Sequence, residues 1–139
     1  MISLIYISSS VGLYTAQDVA QILEESDLNN TSLQVTGLLA YQNGNIMQVL
    51  EGPKEAVMET FGRIKADPRH RNISVLLIEE IDQRHFSDWK MAFVDLGAEK
   101  FQHDPRYSPF LQESLLADKF RAAPGIAKAM LVSFKDALE

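Results

Sequence analysis

Apolar residues are distributed along the chain in a pattern that predicts five β-strands and two helices. Residues 2–8, 33–41, 45–52, 73–81 and 91–96 are short, mostly apolar runs of the kind that form strands. Between the first and second runs, and between the third and fourth, apolar residues recur at helical spacing instead. The predicted order of elements is therefore βαββαββ.

The first helix is predicted over residues 15–28, where Thr15 and Asp18 have the spacing of a capping box. In such a box each side chain hydrogen-bonds the backbone N–H of the other residue. Positions three and four residues apart give the predicted core face of this helix: Ala16, Val19, Ala20 and Leu23.

Turn residues mark the remaining elements. Residues 42–44, Gln-Asn-Gly, predict a tight hairpin between the second and third strands. Pro53 is expected at the first position of the second helix, and Asp67-Pro68 is expected to end it. The inward-facing residues predicted for this helix are Val57, Phe61 and Ile64.

One hairpin and two crossover helices are typical of a ferredoxin-like α+β sandwich, here a five-stranded mixed sheet with both helices on one face. The opposite face needs a cover, which we expect from C-terminal helices over residues 109–120 and 124–138. Apolar residues recur there at intervals of four: Ile126, Met130, Phe134 and Leu138. Residues 1–95 are expected to form the domain, and residues 96–139 a helical extension of it.

Composition narrows the possible classes of function. The 139 residues are 46% hydrophobic, enough for one domain with its own core. The absence of cysteine excludes disulfides, cysteine zinc sites and thiol chemistry, and we predict no metal site. A net charge of −6 argues against nonspecific binding to nucleic acid. The N-terminal apolar run is too short for a signal peptide or a membrane span, so we expect a cytoplasmic protein that binds no membrane.

A carboxamide interrupts the apolar third strand. Gln48 lies between Ile46 and Leu50 on one face, while Met47 and Val49 occupy the other. Burying a carboxamide without a hydrogen-bond partner costs about 1–3 kcal/mol. Gln48 therefore needs a partner, and this stretch alone does not decide whether the partner is the protein core or a ligand.

Five basic residues lie close together in an otherwise acidic chain: Arg63, Lys65, Arg69, His70 and Arg71. Cations at the end of the second helix can simply offset the helix dipole. The same cluster can also bind an anion, phosphate in particular.

Six segments, in their order and spacing, resemble the BLUF domains, which are blue-light sensors that use FAD. The segments are LIYIS (4–8), NN (29–30), TGLL (36–39), QVLEGP (48–53), DPRH (67–70) and RHFSDWKMAF (84–93). The resemblance covers roughly residues 1–95. It implies a ferredoxin-like fold with FAD bound non-covalently between the two helices that pack on the sheet.

The resemblance also implies a set of flavin-binding residues. Asn29 and Asn30 match the pair that anchors the flavin ring, whose carbonyl and N–H groups complement carboxamides. Their alternative role is to end the first helix, because asparagine is a common C-cap. The other implied contacts lie on the ring-facing side of the first helix, on the third strand and along the ribityl and phosphate side: Ile22, Ser26, Gln48, Arg63, Asp67, Arg69 and His70.

A photoswitch is implied at Tyr6, Gln48, Trp89 and Met91. Gln48 matches the glutamine beside flavin N5 and the C4 carbonyl, and Tyr6 matches the tyrosine that supplies an electron and then a proton. If their strands are neighbours, the phenol can reach the carboxamide. Trp89 and Met91 match residues that exchange between buried and exposed places in the family, with ordinary edge-strand packing as the alternative.

We therefore predict a blue-light photoreceptor rather than an enzyme, with FAD as its cofactor. The chain departs from the family at Ile46, where phenylalanine is frequent, and at Ile7, where arginine often follows the tyrosine. The residues beyond 95 are too few for an attached output domain, so we expect signalling through a homo-oligomer or a downstream partner protein.

The alternative function is a ferredoxin-like module that binds a small regulatory metabolite. An acylphosphatase would need an arginine in residues 8–12, which have none.

Overall fold

The computed structural model describes residues 1–12, 14–42, 44–86 and 92–95, and the helical residues 122, 125, 127–129 and 131–132. At residues 16, 19, 27–33 and 92–95 the description covers the backbone alone. The elements in chain order are β1 (Ile2–Ser10), α1 (Ala16–Leu33), β2 (Thr36–Gln42), β3 (Asn45–Gly52), α2 (Lys54–Ala66), β4 (His70–Glu80) and β5 (Ala92–Asp95).

The strands form one sheet in the order β4-β1-β3-β2-β5. The pairs β1–β3, β1–β4 and β2–β3 are antiparallel, whereas the short β5 lies parallel to β2. The predicted α+β class is confirmed, with an antiparallel sheet of four strands and helices beside it. Because β1 and β3 occupy the centre, both faces of these strands are buried, which explains why neither strand alternates between apolar and polar residues.

The two helices pack on one face of the sheet, which we call the helix face. Tyr6 on β1 and Leu50 on β3 belong to a core cluster there with Val57 and Phe61 of α2. Ile22 of α1 packs against the same cluster. The prediction that Val57 and Phe61 face inward is confirmed, since they are 0% and 4% exposed.

The opposite face of the sheet carries the other set of side chains. Ile5, Ile7 and Met47 are fully buried there. Ala127 and Leu131, four residues apart in the C-terminal helical residues, are also buried. Lys128 between them pairs with Glu79 of β4.

A buried carboxylate on this opposite face holds the chain that follows β4. Glu51 at the end of β3 has no exposed surface. Its Oε1 accepts the backbone N–H of His85 at 3.0 Å and of Phe86 at 2.8 Å. Arg84 adds bonds to Thr36 Oγ1 and to the Glu51 carbonyl. Residues 84–86 are thus fixed to the ends of β2 and β3.

Helix α1 begins as predicted but ends later. Thr15 and Asp18 exchange hydrogen bonds at 2.8 and 3.1 Å, so the capping box is confirmed. The bond from the Thr15 backbone N–H to the carboxylate holds the pKa of Asp18 below its usual range, with a smaller contribution from the Thr15 side chain. The predicted core face is wrong at Ala20, which is exposed, because the helix turns Ile22 toward the core instead.

The end of α1 corrects two further expectations. The helix continues through Leu33, which was predicted to open β2, and Gln34 then takes a left-handed conformation with φ of 59°. Asn29 and Asn30 lie inside the helix, so neither forms its C-cap. The Asn-Asn pair is therefore not explained by helix termination.

Smaller differences occur at three other boundaries. β1 extends to Ser10 because Ser9 and Ser10 still pair with β3 and β4, and β4 accordingly begins at His70. Pro53 is the N-cap of α2, with extended backbone, rather than its first helical residue. The strand boundaries differ from the prediction because of pairing with the adjacent strands, and the helix boundary differs because of the backbone conformation at its N-cap.

Gly37 on β2 provides a direct test of how closely the strands approach. A Cβ at this position would lie 1.9 Å from the carbonyl oxygen of Val49, whereas a Cβ at Gly62 in α2 would meet nothing within 4 Å. We expect Gly37→Ala to lower the free energy of unfolding by about 1–3 kcal/mol or more, because the β3 backbone must move. The matched Gly62→Ala should raise it by roughly 0.5–1 kcal/mol through better helix propensity. Urea unfolding measures both, and equal effects would contradict the close strand approach.

Candidate functional site

A cavity of about 370 Å³ lies between α1, α2 and the helix face of the sheet. This volume is within the range of small-molecule sites, roughly 300–1,000 Å³. Its inner wall is formed by sheet residues, among them Leu39, Ile46 and Leu50. Charged residues line another part of the cavity, so the site offers an apolar compartment and a polar edge.

Tyr6 and Gln48 lie side by side in the inner wall. The two residues are directly opposite each other in the β1–β3 register, and Leu39 of β2 is opposite Gln48 on its other side. Tyr6 donates its phenolic hydrogen to Gln48 Oε1. The expected contact between phenol and carboxamide is confirmed, and it supplies the buried Gln48 with a protein partner.

Aromatic rings enclose Tyr6. The Phe61 ring lies 5.5 Å away and the His70 ring 6.2 Å away, measured between centroids. Tyr6 itself is 2% exposed. Burial raises its pKa well above the usual value for a phenol, with smaller contributions from Tyr14 and Asp67. Tyr6 therefore keeps its proton in the resting protein and holds it toward Gln48.

Arg69 organises the polar edge of the cavity. Its Nε donates to both carboxylate oxygens of Asp67, at 3.0 and 2.9 Å, and its Nη2 donates to Glu25 at 2.7 Å. Burial would raise the pKa of Asp67, but the hydrogen bonds from Arg69 outweigh it and hold that pKa below its usual range. Arg69 thus joins α1 to the turn that follows α2.

One polar atom at this edge lacks a partner. Arg69 Nη1 is buried and makes no hydrogen bond with any residue that the structure describes. A buried donor without an acceptor costs free energy, about 1–3 kcal/mol and more for a charged group. An oxygen atom of a bound ligand would satisfy this donor.

His70 also lines the cavity, but its ring nitrogens contact protein atoms. Nε2 lies 2.6 Å from the carbonyl oxygen of Ile64, to which it donates, and Nδ1 lies 2.9 Å from Ser8 Oγ. The ring packs edge-on against Tyr6. Any contact of His70 with a ligand is therefore made by the ring surface.

Eight of the implied site residues meet at this cavity. Four are neutral: Tyr6, Ile22, Ser26 and Gln48. The other four are Arg63, Asp67, Arg69 and His70. Asn29 and Asn30 lie on α1, with their side chains outside the described part of the chain, and Trp89 and Met91 lie outside the described residues altogether.

The sequence analysis did not name the other eight lining residues as part of the site, and three of these have polar side chains: Tyr14, Glu25 and Thr60. Tyr14 stacks on Tyr41 with ring centroids 5.2 Å apart, and burial raises its pKa to about 12. A signal for Glu25 was present, because it lies three residues after Ile22 and next to Ser26 on the same helix face. Nothing in the local pattern points to Tyr14.

Comparison with known proteins identifies the family. A sequence model described as BLUF, sensors of blue-light using FAD, matches residues 1–92. The chain belongs to the BLUF family. It is thus a flavin-based sensor of blue light with FAD as its cofactor. Of the two functions predicted from the sequence, the comparison supports the blue-light sensor and not the metabolite-binding module.

Curated relatives of this chain are longer proteins with different names. The chain is 32% identical over 90 residues to the photoactivated adenylate cyclase subunit beta of Euglena longa, covering 64% of this chain and 10% of that protein. The blue light- and temperature-regulated antirepressor BluF of Escherichia coli is 30% identical over 116 residues, covering 71% of this chain and 29% of that protein. The chain therefore spans less than a third of the length of these curated relatives.

A solved structure matches over nearly the whole of both chains. The dark-state structure of BlrB, a BLUF protein, has a TM-score of 0.72 and 34% identity. The match covers 88% of this chain and 89% of BlrB. The fold described above is thus that of a BLUF protein.

The cavity suits the FAD that the family uses. Its inner wall offers apolar side chains and Gln48 to a flat ring with carbonyl groups, and Arg69 Nη1 offers an unused donor to an oxygen. No cluster of metal-ligating side chains occurs in the described ranges, and none of the helices described there is long and apolar enough to cross a membrane.

The flavin should leave the protein without bond cleavage. We expect acid or heat to release intact oxidised FAD, since we predict non-covalent binding and the chain has no cysteine to form a thioether with the ring. The released flavin is identified by absorption and chromatography; colour that stays with the precipitated chain would contradict the prediction. Added back at about a hundred times its Kd, FAD should raise the free energy of unfolding by about 2.7 kcal/mol. ADP, which lacks the ring, serves as the control.

Proposed function

We propose that Tyr6 and Gln48 form the light-driven switch of this BLUF domain. The observation that supports the proposal is the hydrogen bond from the Tyr6 hydroxyl to Gln48 Oε1 in the wall of the cavity. Tyrosine is an oxidisable phenol, and the carboxamide beside it can pass a proton in either direction. FAD bound in this cavity would supply the group that absorbs blue light and the electron acceptor.

The proposed sequence returns every electron and proton. Tyr6 gives up one electron and passes its phenolic proton to Gln48, and Gln48 relays a proton toward the ring. Tyr6 then recovers both, so neither residue is oxidised at the end. Gln48 is left rotated or tautomerised with a changed hydrogen bond to the cofactor, and the absorption shifts slightly to the red.

The remaining lining residues hold and orient the cofactor in this proposal. Ile22 and Ser26 face the ring from α1, with Asn29 and Asn30 further along the same helix. Arg63, Asp67, Arg69 and His70 lie along the ribityl and phosphate side. Burial of Tyr6 excludes water from its hydroxyl, so the phenolic proton has Gln48 as its acceptor.

Two substitutions separate cofactor binding from switching. Tyr6→Phe removes the donor and Gln48→Leu removes the acceptor, whereas the rest of the cavity lining is unchanged. Both variants should purify yellow and lose the reversible red shift under blue light. Tyr41→Phe is the matched control, because it also removes a buried phenol hydroxyl on the helix face, one that accepts the backbone N–H of Tyr14 at 3.0 Å and does not itself line the cavity. A full, reversible shift in Tyr6→Phe, measured by absorption before and after illumination, would refute the role of Tyr6.

We propose further that the domain is a five-stranded ferredoxin-like sandwich whose opposite face is covered by C-terminal helices. The burial of Ala127 and Leu131 and the Lys128–Glu79 pair support this cover. The change at Gln48 would reach it through β5, which follows Trp89 and Met91 in the chain, since β5 pairs with β2, the neighbour of β3. The output is then a change in assembly or in binding to a downstream partner protein.

The proposed assembly is a homo-oligomer in which residues of the C-terminal extension supply apolar surface: Phe110, Leu111, Leu115, Ile126, Met130 and Phe134. Light can shift the equilibrium between two assembly states only by as much as it changes their difference in free energy. We therefore expect a partial change in assembly. Sedimentation in darkness and under blue light measures it, with the non-switching Gln48→Leu variant as the control. A monomer in both conditions, with unchanged hydrogen exchange in residues 105–139, would rule out this route.

A further inference from the structure

Glu51 is buried at a place that the flavin site does not explain. It is the one carboxylate with no exposed surface among the side chains that the structure describes. It does not line the cavity, because it lies on the opposite face of the sheet. A carboxylate taken out of water is costly unless several N–H donors bind it. Glu51 is therefore held inside the protein by the donors around it.

Two segments of the chain bind each other through this residue. Glu51 Oε1 accepts the backbone N–H of Phe86 at 2.8 Å, and the two carboxylate oxygens share that of His85 at 3.0 and 3.1 Å. In return, Arg84 Nη1 donates to the backbone carbonyl of Glu51 at 3.1 Å and to Thr36 Oγ1 at 2.9 Å. The side chain of each segment thus bonds the backbone of the other. We call these bonds the Glu51–Arg84 clamp.

The clamp is sensitive to small movements of β3. Glu51 and Phe86 are 0% and 2% exposed, so water does not replace a hydrogen bond that is lost between them. The bonds already lie near the optimum length for N–H and oxygen, about 2.9 Å, so a displacement of β3 relative to residues 84–86 weakens them. Residues 85 and 86 therefore either move with β3 or lose buried hydrogen bonds.

Gln48 and Glu51 connect the two faces of the same strand. They are three residues apart on β3, so their side chains lie on opposite faces, Gln48 in the cavity wall and Glu51 away from it. Between them β3 is paired with β1 on one side and β2 on the other. A change in the bonding of Gln48 that displaces the β3 backbone therefore displaces Glu51 as well.

We propose that Glu51 is a positioning residue of the light response, which transmits a displacement of β3 to residues 84–86. Those residues precede Trp89, Met91 and β5 in the chain. Glu51 touches no cofactor and takes part in no electron or proton transfer in this role. The inference rests on the proposed switch at Tyr6 and Gln48, and it adds a side-chain connection to the backbone route through β2 and β5.

The test compares the full-length, FAD-loaded wild type with Glu51→Gln and Glu79→Gln. Glutamine is close in size to glutamate, but it replaces one acceptor oxygen of the clamp by an N–H donor. Glu79 is the matched control, because it shares the face and row of Glu51: both are paired with Ser3 of β1. Glu79 bonds Lys128 instead of residues 84–86. Neither glutamate lines the cavity, so all three proteins should bind FAD and show the reversible red shift.

The readout is the hydrogen exchange of the His85 and Phe86 backbone amides, followed by NMR in darkness and under blue light. In the wild type, light should speed this exchange by about threefold or more, because the amides open when the clamp weakens. In Glu51→Gln the exchange should already be faster in darkness, and the ratio of light to dark rates should fall toward one. Glu79→Gln should keep the wild-type ratio. A merely structural role of Glu51 would speed exchange equally in both conditions and leave the ratio unchanged.

The outcomes distinguish this inference from the proposed function. A wild-type red shift with equal exchange in darkness and light, an unchanged ratio in Glu51→Gln, or an equal loss of the ratio in Glu79→Gln would overturn the role of Glu51. A wild type without any red shift would instead overturn the proposed switch. If Glu51→Gln does not retain FAD, Arg84→Gln tests the clamp from its other, half-buried side. That variant should also lower the ratio, and an unchanged ratio would overturn the inference.

Discussion

The antiparallel pairing of β1 with β3 is the constraint on which the rest of the site depends. These central strands are buried on both faces, so a shift of register by one residue would turn apolar side chains of one face to the other. The register places Tyr6 opposite Gln48, and their hydrogen bond satisfies two polar groups inside an apolar core. The switch is therefore held by the same interactions that fix the fold.

The arrangement of the helices turns this core into a cofactor site. α2 packs tightly through Val57 and Phe61, whereas the described side chains of α1 remain half-buried or exposed, so a cavity stays open between the helices. Arg69 bonds carboxylates on both sides of its edge, and one of its nitrogens has no hydrogen-bond partner among the residues that the structure describes. The fold thus combines a wall of sheet residues, where the chemistry is proposed, with an edge of charged side chains.

The opposite face of the sheet is organised around Glu51. Glu51 lies three residues after Gln48 on β3 and accepts the backbone N–H groups of His85 and Phe86. It therefore connects β3 to the segment that leads to β5. The cost of burying this carboxylate is offset by several N–H donors at once. Together with the pair between Lys128 and Glu79, it connects residues 84–86 and residue 128 to the sheet.

Local patterns in the sequence determined the order of elements, the capping box at Thr15 and Asp18, and the need for a partner at Gln48, because these depend on residues near one another along the chain. The six BLUF-like segments also identified the family and FAD. Only the tertiary structure decided that α1 runs to Leu33 and that Ala20 is exposed, since packing against the sheet fixes the rotation and end of a helix. It alone revealed that Glu25 meets Arg69, because those residues are distant in sequence and the charge of a site depends on which side chains the fold brings together.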